Sequence, residues 1–99
     1  MLKITTHEGP EAAILKLEGS VTGPWVSEFQ HAWLAVASSL GSRKFSVDLR
    51  GVTQMNSPAR KLLAEIYSKT GAEFIANTPM IKYFAEEAQH TDRTENYGG

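Results

Sequence analysis

The side chains best suited to bind a ligand or to be modified lie in one polar stretch, residues 56–61. It contains a hydroxyl at Ser57 and cations at Arg60 and Lys61. Apolar residues then recur at the spacing of one helical face: Ala59, Leu62, Leu63 and Ile66. Ser57 is therefore predicted to lie at a helix N-terminus. The first N–H groups there have no internal partner and carry the positive end of the helix dipole, so they favour an oxygen or an anion.

Two interpretations of Ser57 follow from that position. The hydroxyl either caps the helix, which is worth about 1 kcal/mol, or accepts a phosphate whose charge the dipole partly offsets. Proline follows Ser57, and Pro24 and Pro79 mark two further predicted helix starts. Because proline suits the first helical position, this repeated pattern favours Ser57, like Thr78, as a plain cap. The phosphoacceptor stays as the alternative.

The neighbours of Ser57 also have two interpretations each. Asn56 either fixes the loop through a side-chain hydrogen bond to the backbone, which we favour, or presents its amide to a partner. Arg60 and Lys61 either hold a phosphate or an acidic partner surface, or are solvated cations, and solvation is the more common outcome. Two cations in a first helical turn also oppose the dipole, so some compensation is expected.

A strand and a helix are predicted to position this stretch. Apolar and polar residues alternate over residues 45–49, and Arg50-Gly51 breaks the alternation, so we expect a short strand that ends at a turn. Residues 52–56 would then lead outward to the helix. Asp48, at the end of that strand, has the right chemistry for a general base, but no partner for such a role is evident.

The remaining elements complete a β-β-α-β-α-β-α order. Residues 2–5 and 13–18 predict a hairpin, residues 26–40 a helix ending at Gly41, residues 73–76 a strand, and Pro79 opens the last helix. Trp33 lies on the inward face of the first helix and Trp25 lies off it. Strands that alternate with helices pair in parallel through right-handed crossovers, which predicts a mixed four-stranded sheet with three main helices. We expect one α/β domain over residues 1–89 and a disordered tail over residues 90–99.

Composition excludes several function classes. The 99 residues contain 10 Lys and Arg against 11 Asp and Glu, a net charge of -1 that offers no broad positive field for nucleic acid or anionic membranes. The chain has no cysteine, and no segment is apolar enough for a signal peptide or membrane insertion, so a cytoplasmic location is expected. His7, His31 and His90 lack ligand spacing, and no hydrolase, phosphate-loop or paired-carboxylate motif occurs. We therefore expect no metal, no cofactor and no enzyme activity.

The central segment and its flanks resemble a STAS domain, the fold of bacterial anti-sigma factor antagonists and of regulatory tails on sulfate transporters. The strand of V-L-D-L type corresponds to residues 46–49, the G-V-T-like turn to residues 51–53, and the signature D-S-S-G-L-G to residues 56–61. Tyr67 matches the helix tyrosine, and residues 78–84 resemble the later S-P-x-V-x-x-L-F helix start. The resemblance covers most of the chain and implies the STAS fold.

The signature departs from the family pattern at the position that matters most. The usual phosphoacceptor is the second serine of D-S-S-G, and Pro58 stands there without a hydroxyl. Asn56 replaces the aspartate, Ala59 the glycine, and Arg60-Lys61 the following Leu-Gly. The resemblance therefore implies a phospho-switch that is altered or lost.

The resemblance implies a non-enzymatic interaction and regulatory module that binds an anti-sigma factor or kinase-like protein. The predicted contacts are Met55, Asn56, Ser57, Arg60 and Lys61. One alternative is a cytoplasmic STAS accessory subunit of an ABC-type lipid transporter, and another is a nucleotide or small-ligand sensor, supported only by the two cations. Because tryptophan is enriched at interfaces, Trp25 is a further partner contact or part of a weak homodimer.

Overall fold

The computed structural model describes the backbone of residues 1–98 and the side chains of residues 1–90. It confirms the predicted order of elements. These are β1 (Leu2–Glu8), β2 (Ala12–Val21), α1 (Trp25–Ala37), β3 (Lys44–Met55), α2 (Ser57–Thr70), β4 (Glu73–Ile75) and α3 (Pro79–Gly98). The predicted tail over residues 90–99 falls almost wholly outside the described side chains and stays a prediction.

The four strands form one mixed sheet in the order β1-β2-β3-β4. β1 pairs with β2 antiparallel, whereas β2 with β3 and β3 with β4 are parallel, as predicted. Both parallel connections step in the same direction along the sheet. Right-handed crossovers therefore place α1 and α2 on the same face of the sheet.

One face of the sheet and the inward faces of the helices form a single core. Alternate strand residues supply it, among them Leu15, Leu17, Val47 and Leu49, which are completely buried. Phe29 and Trp33 from α1, Leu63 and Ile66 from α2, and Ile81 from α3 complete it. Burial alternates along the first part of β2 and recurs at close to 3.6 residues in the helices, whereas β3 is buried on both faces over residues 45–49.

The central strand is longer than predicted, because β3 continues through Arg50-Gly51 to Met55. A register irregularity lies here: Lys16 pairs with Asp48, and Glu18 pairs with Gly51, so β3 carries one extra residue. A Cβ atom on Gly51 would lie 2.8 Å from Cγ of Glu18. Gly51 thus permits a close approach inside the sheet instead of ending the strand.

The first helix is shorter than predicted. It ends at Ala37, and Leu40 still packs into the core from the turn that follows. Gly41 has a φ of 60°, a left-handed conformation that glycine adopts without strain. The apolar spacing of the sequence continued beyond the helix because Leu40, in the turn, buries its side chain on the same side as the helical core residues.

Candidate functional site

The start of α2 is fixed by Asn56, which follows the last residue of β3. Asn56 has an extended backbone, with φ -85° and ψ 178°, and its side-chain oxygen accepts a 3.0 Å hydrogen bond from the N–H of Ala59. Its own N–H donates to the carbonyl of Val21 at the end of β2. Asn56 is therefore the N-cap and ties the helix start to the sheet, which confirms the structural role predicted for it.

Ser57 is not the cap, so that prediction was wrong. It is the first residue of α2, its side chain is exposed, and it makes no side-chain hydrogen bond among the residues the structure describes. The amide oxygen of Asn56 already takes the N–H that a capping hydroxyl would take. Pro58 accordingly lies one position further into the helix than predicted, where it is also exposed.

The other two proline-marked helix starts differ from this one. At α3, Thr78 directly precedes Pro79, and its hydroxyl accepts a 3.3 Å hydrogen bond from the N–H of Ile81. At α1, Pro24 lies one residue before the helix, and no side chain caps it. The three helix starts that carry a proline are thus capped in three different ways.

Arg60 is directed at α3, which corrects the expectation of a solvated or phosphate-binding cation. Its Nε donates to Oε1 of Glu87 at 3.2 Å, and its Cζ lies 4.8 Å from the centre of the Phe84 ring. A carboxylate and an aromatic face therefore compensate the cation in the first turn. The nucleotide hypothesis loses one of the two residues that supported it.

Lys61 remains exposed, and it lies one helical turn after Ser57 on the outward side of α2. Met55 lies on the inner side. Its side chain is 5% exposed and belongs to the core, so the structure removes it from the surface predicted to contact a partner. The exposed side chains of the site are Ser57, Pro58 and Lys61, which we call the α2 surface.

Trp25 lies apart from the α2 surface, at the first position of α1. Its ring is half-buried and packs against the core. Only the solvent-exposed part of the ring is therefore available for the interface role predicted for it. A side chain on the flank of a helix contacts both the core and the solvent. Helical phase alone placed Trp25 off the inward face but did not show this contact.

Asp48 is buried beside Arg50, on the sheet face opposite the core. Its carboxylate accepts hydrogen bonds from Nε of Arg50 at 3.0 Å and from Nη2 at 2.9 Å. The side-chain hydrogen bond to Arg50 lowers the pKa of Asp48, and this outweighs burial, which acts to raise it. A carboxylate held ionised by two guanidinium hydrogen bonds is a poor general base at neutral pH.

Sequence reasoning missed a further arginine that orders the domain. Arg43, in the connection between α1 and β3, donates to the carbonyls of Gly9, Ser39 and Leu40 and to the carboxylate of Glu8. It joins the β1–β2 turn to the residues that follow α1, and its hydrogen bond to Gly9 spans 34 residues of sequence. No local pattern signals such a contact, because its partners are mostly backbone carbonyls. Its role is structural.

The architecture matches that of known structures. The crystal structure of an anti-sigma factor antagonist from Mycobacterium paratuberculosis superposes with a TM-score of 0.72 over 80% of this chain and 70% of that one, at 19% identity. The chain has a STAS-like fold. The likeness at this identity concerns the fold alone.

A second structure shows the same fold inside a longer chain. The protein called Mglu matches this STAS-like domain with a TM-score of 0.59 and 17% identity, over 76% of this chain but 19% of the Mglu chain. No family model and no curated protein matches the sequence. Within the part of the chain that the structure describes, none of the helices combines the length and apolar character needed to cross a membrane.

Proposed function

We propose that this chain is a non-enzymatic interaction module that docks a protein partner through the α2 surface, in the cytoplasm. The observation that carries the proposal is the contrast within residues 55–61. Met55, Asn56 and Arg60 fix the helix start by burial, capping and contact with α3. Ser57 and Lys61 are exposed and make no side-chain hydrogen bond or ion pair among the described residues.

A surface that is held rigid from beneath suits protein recognition. Because the backbone of the helix start is already ordered by the cap, a partner that binds there orders few additional groups and loses little entropy. Lys61 supplies a positive charge, and the N-terminal end of the α2 dipole adds partial positive charge. The complementary partner surface is acidic. Similarity in fold to an anti-sigma factor antagonist supports an anti-sigma factor as the class of partner.

We further propose that docking is constitutive. Pro58 removes the hydroxyl from the position at which phospho-regulated STAS domains carry the acceptor. The hydroxyl of Ser57 is one residue earlier, so it projects from the helix in a different direction. Phosphoryl transfer requires close alignment of the nucleophile with the γ-phosphate, so a kinase that recognises the usual position would transfer slowly to Ser57.

A matched pair of charge reversals tests the docking surface. Lys61→Glu changes the α2 surface, and Lys44→Glu changes an exposed lysine at the opposite end of β3. We expect wild type and Lys44→Glu to retain a specific protein from lysate of the source cell, and Lys61→Glu to lose it. Arg60→Glu is a poorer test, because it would face Glu87 and disturb the contact between α2 and α3. Equal retention by Lys61→Glu and wild type would refute the docking surface.

Intact mass tests the loss of the switch. After incubation with ATP and the retained partner, or its associated kinase, we expect no gain of a phosphate by the wild-type chain. A stoichiometric gain that disappears in Ser57→Ala would restore Ser57 as a regulated acceptor. The docking surface would survive that result, because the pull-down measures binding separately.

A further inference from the structure

Among the residues that the structure describes, no strand pairs with the outer edge of β1. The Gly9 N–H donates to Ala12, and the Ser20 N–H donates to Met1, at the two ends of the continuous β1–β2 ladder. Hydrogen-bonded pairs alternate along an antiparallel ladder, so the odd-numbered residues of β1 bond to β2. The N–H and C=O groups of Leu2, Ile4, Thr6 and Glu8 therefore point away from the sheet.

This edge lacks most features that prevent a further strand from pairing. β1 spans seven residues without proline, and its pairing with β2 has no register shift. The opposite edge strand, β4, spans only three residues. A long, regular edge with free backbone groups is a template for another strand, and Lys3 is its only cation.

Apolar groups lie on the core side of the same edge. Leu2 is buried, and Ile4 is half-buried at the margin of the core. Leu34 and Ala37 of α1 line a groove with Lys69 of α2, which shows which flank of α1 faces α2. Trp25 lies on the other flank by helical phase, towards β1.

We infer that β1 pairs antiparallel with β1 of a second copy of this chain, about a two-fold axis at Ile4. The outward N–H and C=O groups of one β1 must hydrogen-bond to the outward groups of the other. Even-numbered residues therefore pair with even-numbered residues. An axis at Thr5 would set Leu2 against Glu8, and one at Thr6 would set Ile4 against Glu8, the carboxylate that Arg43 already holds.

The axis at Ile4 avoids both mismatches. It sets Ile4 against its own copy, Leu2 against Thr6 and Lys3 against Thr5, with no like charges opposed. An axis perpendicular to the sheet keeps both helix layers on one side, so the Trp25 flanks of the two α1 helices face each other. The result is a continuous eight-stranded sheet in which the second copy covers Leu2 and Ile4 on the core side of β1.

Charge substitution at the axis tests this register. Ile4→Lys and Ile4→Glu each place like charges opposite one another in a homodimer. By sedimentation equilibrium, we expect each variant to raise the dimer dissociation constant about tenfold or more, which corresponds to ~1.4 kcal/mol. An equimolar mixture of the two should recover association, because only an axis at residue 4 brings the opposite charges together. Wild type that stays monomeric up to about 1 mM, or a mixture that stays as weak as either variant alone, overturns the inference.

Proline substitutions separate loss of the edge from loss of folding. Thr6→Pro removes an outward N–H, so it should weaken the dimer and leave the monomer folded by circular dichroism. Thr5→Pro removes an inward N–H and should lower the melting temperature. Trp25→Ala should weaken association, whereas Ile14→Lys, an exposed position on the other sheet face, should not. Loss of the dimer in Ile14→Lys, or its persistence in Thr6→Pro, contradicts pairing through β1.

Discussion

The starts of α2 and α3 look alike in sequence and differ in structure. Each has a hydroxyl residue followed by proline, Ser57-Pro58 and Thr78-Pro79, and neither has an acidic residue in its first turn. At α3 the hydroxyl residue is the cap. At α2 the cap is one residue earlier, at Asn56, and the hydroxyl residue has become the first residue of the helix.

The difference shows what an additional capping residue does to the chemistry of its neighbour. Where one residue can cap, its oxygen is occupied by a backbone N–H. Where two candidates stand side by side, the one held extended by the preceding strand caps the helix, because a cap needs a non-helical backbone. Asn56 is held by its hydrogen bond to Val21. Ser57 is thereby released to the surface.

The largest expected effect is at the cap of α2. Asn56→Ala should lower the free energy of unfolding by about 1 to 2 kcal/mol, since the Ala59 N–H would lose its partner. Urea denaturation measures this, with Asn56→Asp as the control that keeps a capping oxygen. If Asn56→Ala is neutral and Ser57→Ala instead lowers the free energy of unfolding by about 1 to 2 kcal/mol, the two residues have been assigned the wrong roles.

The two adjacent cations of α2 should differ next. Arg60→Ala removes an ion pair of partial exposure and a contact with the Phe84 ring, together worth about 1 kcal/mol. Lys61→Ala should change stability by less than about 0.5 kcal/mol. Denaturation at low and high salt separates the ionic part, which salt should weaken for Arg60 alone. An equal loss of stability in both variants would mean that the contacts of Arg60 with Glu87 and Phe84 do not stabilise the fold.

The cap of α3 should contribute less than that of α2. Thr78→Ala removes a hydrogen bond that is 3.3 Å long, so we expect a loss of about 0.5 kcal/mol, at the low end for caps. Thr78→Ser keeps a hydroxyl and should retain most of the stability. A loss larger than that of Asn56→Ala would reverse the order of the two helix starts.

The fold was largely predictable, because the signals that define it are periodic and local. Alternation over β2 and the apolar spacing of α2 identified both elements, and the crossover rule gave the parallel pairs. The prediction failed where a residue acts through a distant one. Gly51 was interpreted as a strand end. A glycine is needed there because Glu18 on β2 approaches it closely, and the local sequence does not show that contact.

The site was predictable in position but not in the roles of its residues. The sequence located the start of α2 but misassigned three of its side chains. Met55 is buried because β3 continues further than its polar residues suggested, and Arg60 is engaged because α3 brings Glu87 and Phe84 beside it. Ser57 lost the cap to its neighbour. Each error arose where tertiary packing decided between two chemically reasonable roles.

Ser57→Ala should have the smallest effect on stability, and its comparison with Thr78→Ala tests the difference between the two helix starts. The Ser57 hydroxyl is exposed and makes no hydrogen bond within residues 1–90, so Ser57→Ala should change the free energy of unfolding by less than about 0.5 kcal/mol. Ser57→Asp places a negative charge at the positive end of the α2 dipole and should stabilise by roughly 0.3 to 1 kcal/mol at low salt. This gain should shrink in high salt, which denaturation at two ionic strengths would show.

At α3, Thr78→Ala removes a hydrogen bond, so the two alanine variants should differ. If Ser57→Ala instead costs as much as Thr78→Ala, the hydroxyl of Ser57 is engaged in solution, and the α2 surface loses the free group on which the docking proposal rests.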